Sequence, residues 1–164
     1  MNGGNAYVSL PAGMVSGLND FTISTWVKPN SPSDWVRIFD FGTGTDSNMF
    51  LTPRPGGAGL RFAITTGGNG AEQQLNYSQA MATGAWMHVA VTLSGTTGTL
   101  YVNGTAVATN TAMTLKPSSL GSTTQNYIGK SQYAGDAYLN GLVDDFRIYN
   151  RALSASEISA LAGD

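Results

Sequence analysis

Short runs in which apolar and polar residues alternate, separated by Gly- and Asn-rich clusters, recur along most of this 164-residue chain. Side chains on a strand point alternately to two faces, and Gly and Asn supply turns, so the pattern predicts an all-β sandwich or barrel. The predicted strands are residues 6–11 (AYVSLP), 21–29 (FTISTWVKP), 36–41 (VRIFDF), 49–52, 60–66 (LRFAITT), 86–93 (WMHVAVTL), 127–129 and 139–149. In 21–29, Phe21, Ile23 and Val27 share a face opposite Trp26. In 86–93, Met87, Val89, Val91 and Leu93 oppose His88, Ala90 and Thr92. The strongest local signal is residues 99–107, TLYV-NG-TAV, where Asn103-Gly104 between β-rich flanks predicts a two-residue type I′ hairpin. Only the tail, residues 154–162 (SASEISALA), reads as helix, with Ser154 as N-cap and Glu157 completing a capping box. No linker, charge run or repeat interrupts the pattern, so one domain over residues 1–164 is expected.

Composition narrows the function. Charged residues make up 11 % of the chain, against about 25 % in an ordinary soluble protein. With 8 Lys+Arg and a net charge of −2 there is no basic stripe, which argues against a nucleic-acid partner. No apolar run reaches the roughly 18 residues that span a membrane, and no basic amphipathic helix lies on one. The absence of Cys excludes disulfides, thiolate zinc sites and Cys nucleophiles. Met1 is followed directly by Asn2 and Gly3 rather than by a signal peptide, so an excised or mature domain of an exported protein is expected.

Three segments, FTISTWVKP, WMHVAVTLSGTTGTLYVNG and YIGKSQYAGDAYLNGLVDDFRIYNRALSASEI, resemble the bacterial laminin-G-like jelly rolls of the concanavalin-A-like lectin/glucanase superfold. The likeness covers nearly the whole chain, in the family's order. Its specific elements are W-x-H-V-A-V-T…L-Y-V-N-G and the closing G-x-x-D-D-x-R-I-Y-N-R-A-L-S. The resemblance implies two curved antiparallel sheets packed face to face, a jelly-roll β-sandwich with the short C-terminal helix. It further implies a module of a secreted bacterial glycan-acting protein, binding a polysaccharide or oligosaccharide beside a covalently linked catalytic domain. The alternative is a structural or adhesion module that packs on a neighbouring protein domain and binds no sugar. Relatives usually carry one more strand ahead of MNGGNAYVSLP; its absence would turn the neighbouring strand into an edge.

The superfold includes glucanases, so catalysis is a real question. Glycoside hydrolysis needs two carboxylates facing each other across the scissile bond. The chain has only Glu72, in a turn outside any expected cleft, and Glu157, in the capping box, with no E-x-D-x-E run. Asp40 has no alternating partner, and Asp144 and Asp145, being adjacent, face opposite ways on a strand. His88, the only His, has no G-x-S-x-G beside it and reads as a structural, hydrogen-bonded residue. No enzymatic activity is expected.

Oxygen-only chemistry remains, and it suits calcium. By strand period Leu142, Asp144, Phe146 and Ile148 share a face. Phe146 and Ile148 read as core, so Asp144 is expected to point inward, where a carboxylate must be paired, hydrogen-bonded or bound to metal. Asp145 and Arg147 are expected to pair on the other face. The resemblance implies a structural calcium held by such an Asp and the N-terminal loop, which gives Asp144, Asn2, Gly4 and Asn5 as ligands. The alternative is that Asp144 accepts backbone N–H bonds from that loop. Asp46 and Asn48 in TGTDSN have ligand-like spacing, but an Asx-turn accounts for them.

Sugar binding needs aromatic platforms and planar polar side chains. Trp26 reads as core and Trp86 as a structural lid. Trp35, in the polar turn NSPSDWVR with Arg37 two residues on, reads equally as an exposed platform or as rim-of-core packing. The loop SQYAGDAYLN gathers Gln132, Tyr133, Asp136 and Tyr138, with plain turn chemistry as the alternative. The candidate ligand residues are thus Trp35, Arg37, Gln132, Tyr133, Asp136 and Tyr138, ahead of Arg54, Asn48 and Tyr77. Nothing in the sequence makes the two loops neighbours.

Overall fold

Two antiparallel sheets face each other in the computed structural model, which describes residues 1–163. The six-stranded sheet runs, in spatial order, β1 (Val8–Leu10), β10 (Gln125–Ile128), β3 (Phe39–Gly44), β4 (Ser47–Thr52), β5 (Leu60–Thr65) and β6 (Gln73–Tyr77). The five-stranded sheet runs β11 (Gly141–Tyr149), β2 (Phe21–Pro29), β7 (Met87–Ser94), β8 (Thr97–Val102) and β9 (Thr105–Asn110). Helix α1 (Ala155–Leu161) follows the last strand. The predicted jelly-roll sandwich is what forms.

Alternation places the core. Phe39, Phe41, Met49, Leu51, Phe62 and Ile64 point inward from one sheet, and Phe21, Ile23, Val27, Val89, Val91 and Leu100 from the other. Phe146 meets Phe39 and Phe41 edge-on at ring separations of 5.9 and 6.1 Å. The Asn103-Gly104 hairpin joins β8 to β9 with both residues at positive φ, 49° and 79°, as a type I′ turn demands. The capping box is also present: Ser154 Oγ accepts from Glu157 N–H at 3.2 Å, and Glu157 Oε2 accepts from Ser154 N–H at 2.8 Å. Helix α1 then buries Ile158 with Leu153 against Ala90 and Tyr101, which are register partners on the outer face of the five-stranded sheet.

Four local expectations need correction. The strand predicted at residues 36–41 begins only at Phe39 and runs on to Gly44. Trp35 takes a left-handed φ of 63°, and residues 35–38 become a lead-in that turns Arg37 inward. The extension beyond Phe41 pairs β3 with β4 so closely that a Cβ on Gly42 would lie 2.5 Å from the Ser47 carbonyl oxygen. Strand β6, QQLNY, was not predicted; among its residues only Leu75 and Tyr77 are apolar, too few for a hydrophobic pattern. Trp26 is not core: it lies on the outer face of the five-stranded sheet, edge-on to His88, with Trp86 exposed nearby.

The fourth correction concerns Asp144. The β11–β2 register shifts between Asp144 and Arg147, with Asp145 at φ 50°. This bulge inserts an extra residue, so Val143 rather than Asp144 shares the inner face with Phe146 and Ile148. Asp144 is therefore exposed on the outer face. Asp145 and Arg147 do pair, at 2.7 Å. At the far edge of the six-stranded sheet β1 is only three residues long, and the Lys130 ammonium lies over the rings of Tyr7 and Tyr127, 4.4 and 4.5 Å from their centroids.

Candidate functional site

Strand alternation sends a second set of side chains to the outer face of the six-stranded sheet. Register aligns Tyr127, Asp40, Phe50, Ala63 and Gln74 in one row across five strands, with Arg61 one step along on β5. Three loops rise over this row: the lead-in to β3 with Trp35 and Arg37, the 3₁₀ turn Asn69–Ala71 leading to Glu72, and the segment from Ser131 to Asp136. Between them lies a cavity of about 300 Å³. Phe50 floors it, Trp35 and Tyr133 provide aromatic walls, and Arg37, Arg61, Asn69, Glu72, Gln74 and Asp136 supply polar ones.

Arg37 organises the site. It is 2 % exposed, and its guanidinium lies 4.0 Å from the centroid of the Phe50 ring. Its Nε donates to Asp40 Oδ2 at 3.2 Å, Nη2 faces Asp136 Oδ2 at 3.4 Å, and Nη1 donates to the Trp35 carbonyl. Asp40, wholly buried, also accepts from Asn48 Nδ2 at 2.9 Å and from the Gln132 backbone N–H at 3.0 Å. Burial still outweighs the attraction of Arg37 and these donors, and pushes the Asp40 carboxyl up to about 6. Trp35 is anchored by its N–H to the Arg54 carbonyl at 2.8 Å, and its ring sits so close to Gly56 that a Cβ there would meet it at 3.1 Å. The Arg61 guanidinium lies 5.5 Å from that ring's centroid. Arg61 in turn donates to Asn76 Oδ1 at 2.7 Å and faces Glu72 at 3.8 Å, while Glu72 accepts from Gln74 Nε2 at 2.7 Å. The Tyr133 hydroxyl is pushed upward, first by partial burial and then by the charge of Glu72.

This constellation stands on a recognisable scaffold: the family model of the concanavalin A-like lectin/glucanases superfamily matches residues 2–159. The chain belongs to that superfamily. Within it, domain 4 of AbnA, a GH43 extracellular arabinanase from Geobacillus stearothermophilus solved in complex with arabinotriose, superposes with a TM-score of 0.85 at 24 % identity, covering 99 % of this chain and 74 % of that one. The Ruminococcus gnavus IT-sialidase CBM40 bound to α2,3-sialyllactose superposes with a TM-score of 0.79 at 17 % identity over 96 % of both chains. An α-L-arabinofuranosidase of Bifidobacterium longum subsp. longum is 23 % identical over 93 % of this chain, which spans only 15 % of that relative's length.

Of the six ligand residues expected, the superfamily scaffold brings four together: Trp35, Arg37, Tyr133 and Asp136 all line the cavity. Gln132 and Tyr138 do not. Gln132 turns away, its Nε2 donating to the Gln125 carbonyl at 2.7 Å, and Tyr138 packs against Tyr7 with ring centroids 5.8 Å apart. Glu72, expected outside any cleft, lines this one because the unpredicted β6 draws its turn beside Arg61. Phe50, Arg61, Asn69 and Gln74 were also missed. Phe50 and Arg61 carried a signal: each sits in an alternating run on the face opposite the core residues Met49, Leu51, Leu60 and Phe62.

The expected calcium ligands do not fit that ion. Asn2 bridges to Asn140 and Gly141 N–H donates to the Met1 carbonyl, so the N-terminal segment runs antiparallel to β11 and away from Asp144. Asn140 and Asp144 are four residues apart along the chain, about 13 Å at strand rise, whereas calcium donors stand roughly 2.3–2.6 Å from the ion. Asn2 Oδ1 already accepts from the N–H groups of Gly4, Asn5 and Ala6 at 3.0–3.2 Å. Neither Asp46, exposed in its hairpin, nor Asn48, committed to Asp40, completes another set. His88 is buried against Trp26 rather than hydrogen-bonded through its ring; Nδ1 has no partner among the described residues. A second, broader concavity of about 560 Å³ lies on the opposite sheet between Trp26, Trp86, Asp144 and Asp145.

Proposed function

We propose that this chain is a non-catalytic carbohydrate-binding module of an extracellular glycan-acting protein, and that the cavity between Trp35 and Tyr133 is its sugar site. The observation that carries the reading is the convergence of two aromatic walls with six planar polar side chains over one sheet face. Aromatic faces stack on the C–H faces of a sugar ring, while carboxylates, amides and guanidiniums match its hydroxyl pairs. The ligands named for the arabinanase domain and the sialidase module support the same reading. The small fraction of the arabinofuranosidase that this chain spans supports a catalytic partner elsewhere in the parent protein.

Catalysis is a poor fit to the geometry. Asp40 is wholly buried and lines no part of the cavity, with Arg37, Asn48 and Gln132 as its donors. Asp136 accepts from Ser131 Oγ and faces Arg37, and Glu72 is held by Gln74 and Arg61. A hydrolase of neutral glycosides needs a carboxylic acid that reaches the glycosidic oxygen and gives up a proton there; the two carboxylates that reach this cavity are both already engaged by neighbouring side chains.

Affinity electrophoresis in gels containing arabinan, xylan, galactan or β-glucan tests the proposal. Retardation on at least one polymer is expected, and Trp35→Ala, checked to be folded by circular dichroism, weakens it by up to about tenfold, the worth of one aromatic contact. Retardation on none of these glycans overturns the reading. The adhesion alternative then gains, since Trp86 and Leu142, 41 % and 47 % exposed on the outer face of the five-stranded sheet, offer a protein an apolar contact.

A further inference from the structure

The cavity carries its own charge balance, and we infer that it selects uncharged glycans and rejects those bearing carboxylates. The inference rests on the carbohydrate-binding reading and adds to it the class of ligand. A carboxylate on a sugar is captured by a guanidinium or ammonium whose charge no neighbouring carboxylate balances. All five arginines of this chain are already committed: Arg37 to Asp40 and Asp136, Arg54 to Asp34, Arg61 to Glu72, Arg147 to Asp145 and Arg151 to Glu157. Only Arg37 and Arg61 reach the cavity. Arg37 is 2 % exposed, spends Nε, Nη1 and Nη2 on Asp40, the Trp35 carbonyl and Asp136, and has its plane against Phe50. Arg61 donates through Nε to Asn76 and faces Glu72 through Nη1. The lysines serve elsewhere: Lys116 donates to the Gly95 carbonyl, Lys130 covers two tyrosines, and Lys28 is on the opposite sheet.

Two guanidiniums therefore face three carboxylates. An entering carboxylate would stand beside Glu72 and Asp136, in like-charge contact. Displacing Glu72, itself 7 % exposed, would leave a largely buried charge unpaired. A neutral sugar meets the reverse: Asp136 and Glu72 have lone pairs left for hydroxyl donors, and the Asn69 and Gln74 amides match hydroxyls either way. Sharing a fold with a module bound to sialyllactose thus does not carry that ligand class over.

Titration calorimetry at pH 7.5 compares arabinotriose, galactotriose, xylotriose and cellotriose with trigalacturonate and α2,3-sialyllactose. At least one neutral probe is expected to bind, with both acidic probes at least about tenfold weaker, as like-charge juxtaposition requires. An acidic probe that binds as tightly as the best neutral one overturns the inference and leaves the carbohydrate reading standing. Binding of no probe overturns the carbohydrate reading, and this inference with it. Glu72→Gln, checked for an unchanged melt, frees Arg61 and should move the ratio toward trigalacturonate by about tenfold or more. Asp145→Asn, which removes the same charge from the opposite sheet, should leave that ratio where it was. A ratio unmoved by the first variant, or shifted by the second, overturns the charge account.

Discussion

Asp40 shows how one side chain links the site to stability. Its carboxyl titrates near 6 in the folded chain against 3.8 when unperturbed, because complete burial costs the charged form more than Arg37 returns. The folded state therefore holds more protons than the unfolded state between about pH 4 and 6, and stability falls as pH rises through that window, by on the order of 3 kcal/mol. Because burial holds the His88 imidazole low and so adds a rise with pH to both proteins, the wild-type melt should drop relative to that of Asp40→Asn from pH 4.5 to pH 7; two melts that run parallel across the window refute this. Below pH 4.5 the opposite sign takes over. Glu157, held down to about 2 mainly by Arg151, loses its contribution as pH falls. Trp35, Arg37, Tyr133 and Asp136 were readable because aromatic and planar polar residues stood together in short polar loops. Gln132 looked equivalent in the sequence, yet a carbonyl on β10 claims its amide, a contact between segments that no local pattern encodes.

Among the elements, the most legible were those that local physics settles alone. The Asn103-Gly104 turn and the Ser154–Glu157 capping box need only neighbouring residues to form, and both form as predicted. Strand β11 shows where such reading stops. Period two is a sound rule until a bulge adds a residue, and the bulge at Asp144/Asp145 reversed the assignment of the one carboxylate on which the calcium expectation rested. Strand β6 failed differently: held by β5 on one side and polar over most of its length, it is a strand by tertiary context alone. Helix α1 attaches largely through Ile158, which is fully buried against Ala90 and Tyr101. Ile158→Ala should cost about 2–5 kcal/mol, the range for truncating a buried aliphatic side chain, read as a lower midpoint in urea. A shift below about 0.5 kcal/mol, typical of surface changes, contradicts that attachment.

For the whole molecule, both the fold class and the sequence likeness pointed the same way, because alternation and turn residues are distributed along the entire chain. The cavity was half legible: two loops were named from composition, while their meeting over Phe50 and Arg61 depends on cross-strand register. The N-terminal segment and β11 hold each other through backbone bonds rather than through an ion, so EDTA should leave the melting temperature unchanged. A chelator-induced fall of several degrees, restored by added calcium, refutes that account. One further feature matters once the domain is used as proposed. Modules gathered on a polymer meet copies of themselves at high local concentration, the condition under which open strand edges recruit one another. The ammonium of Lys130, set over Tyr7 and Tyr127 beside the three-residue β1, places a hydrated charge at such an edge. Lys130→Ala should therefore scatter more light than the wild type as concentration rises, and equal scattering refutes this.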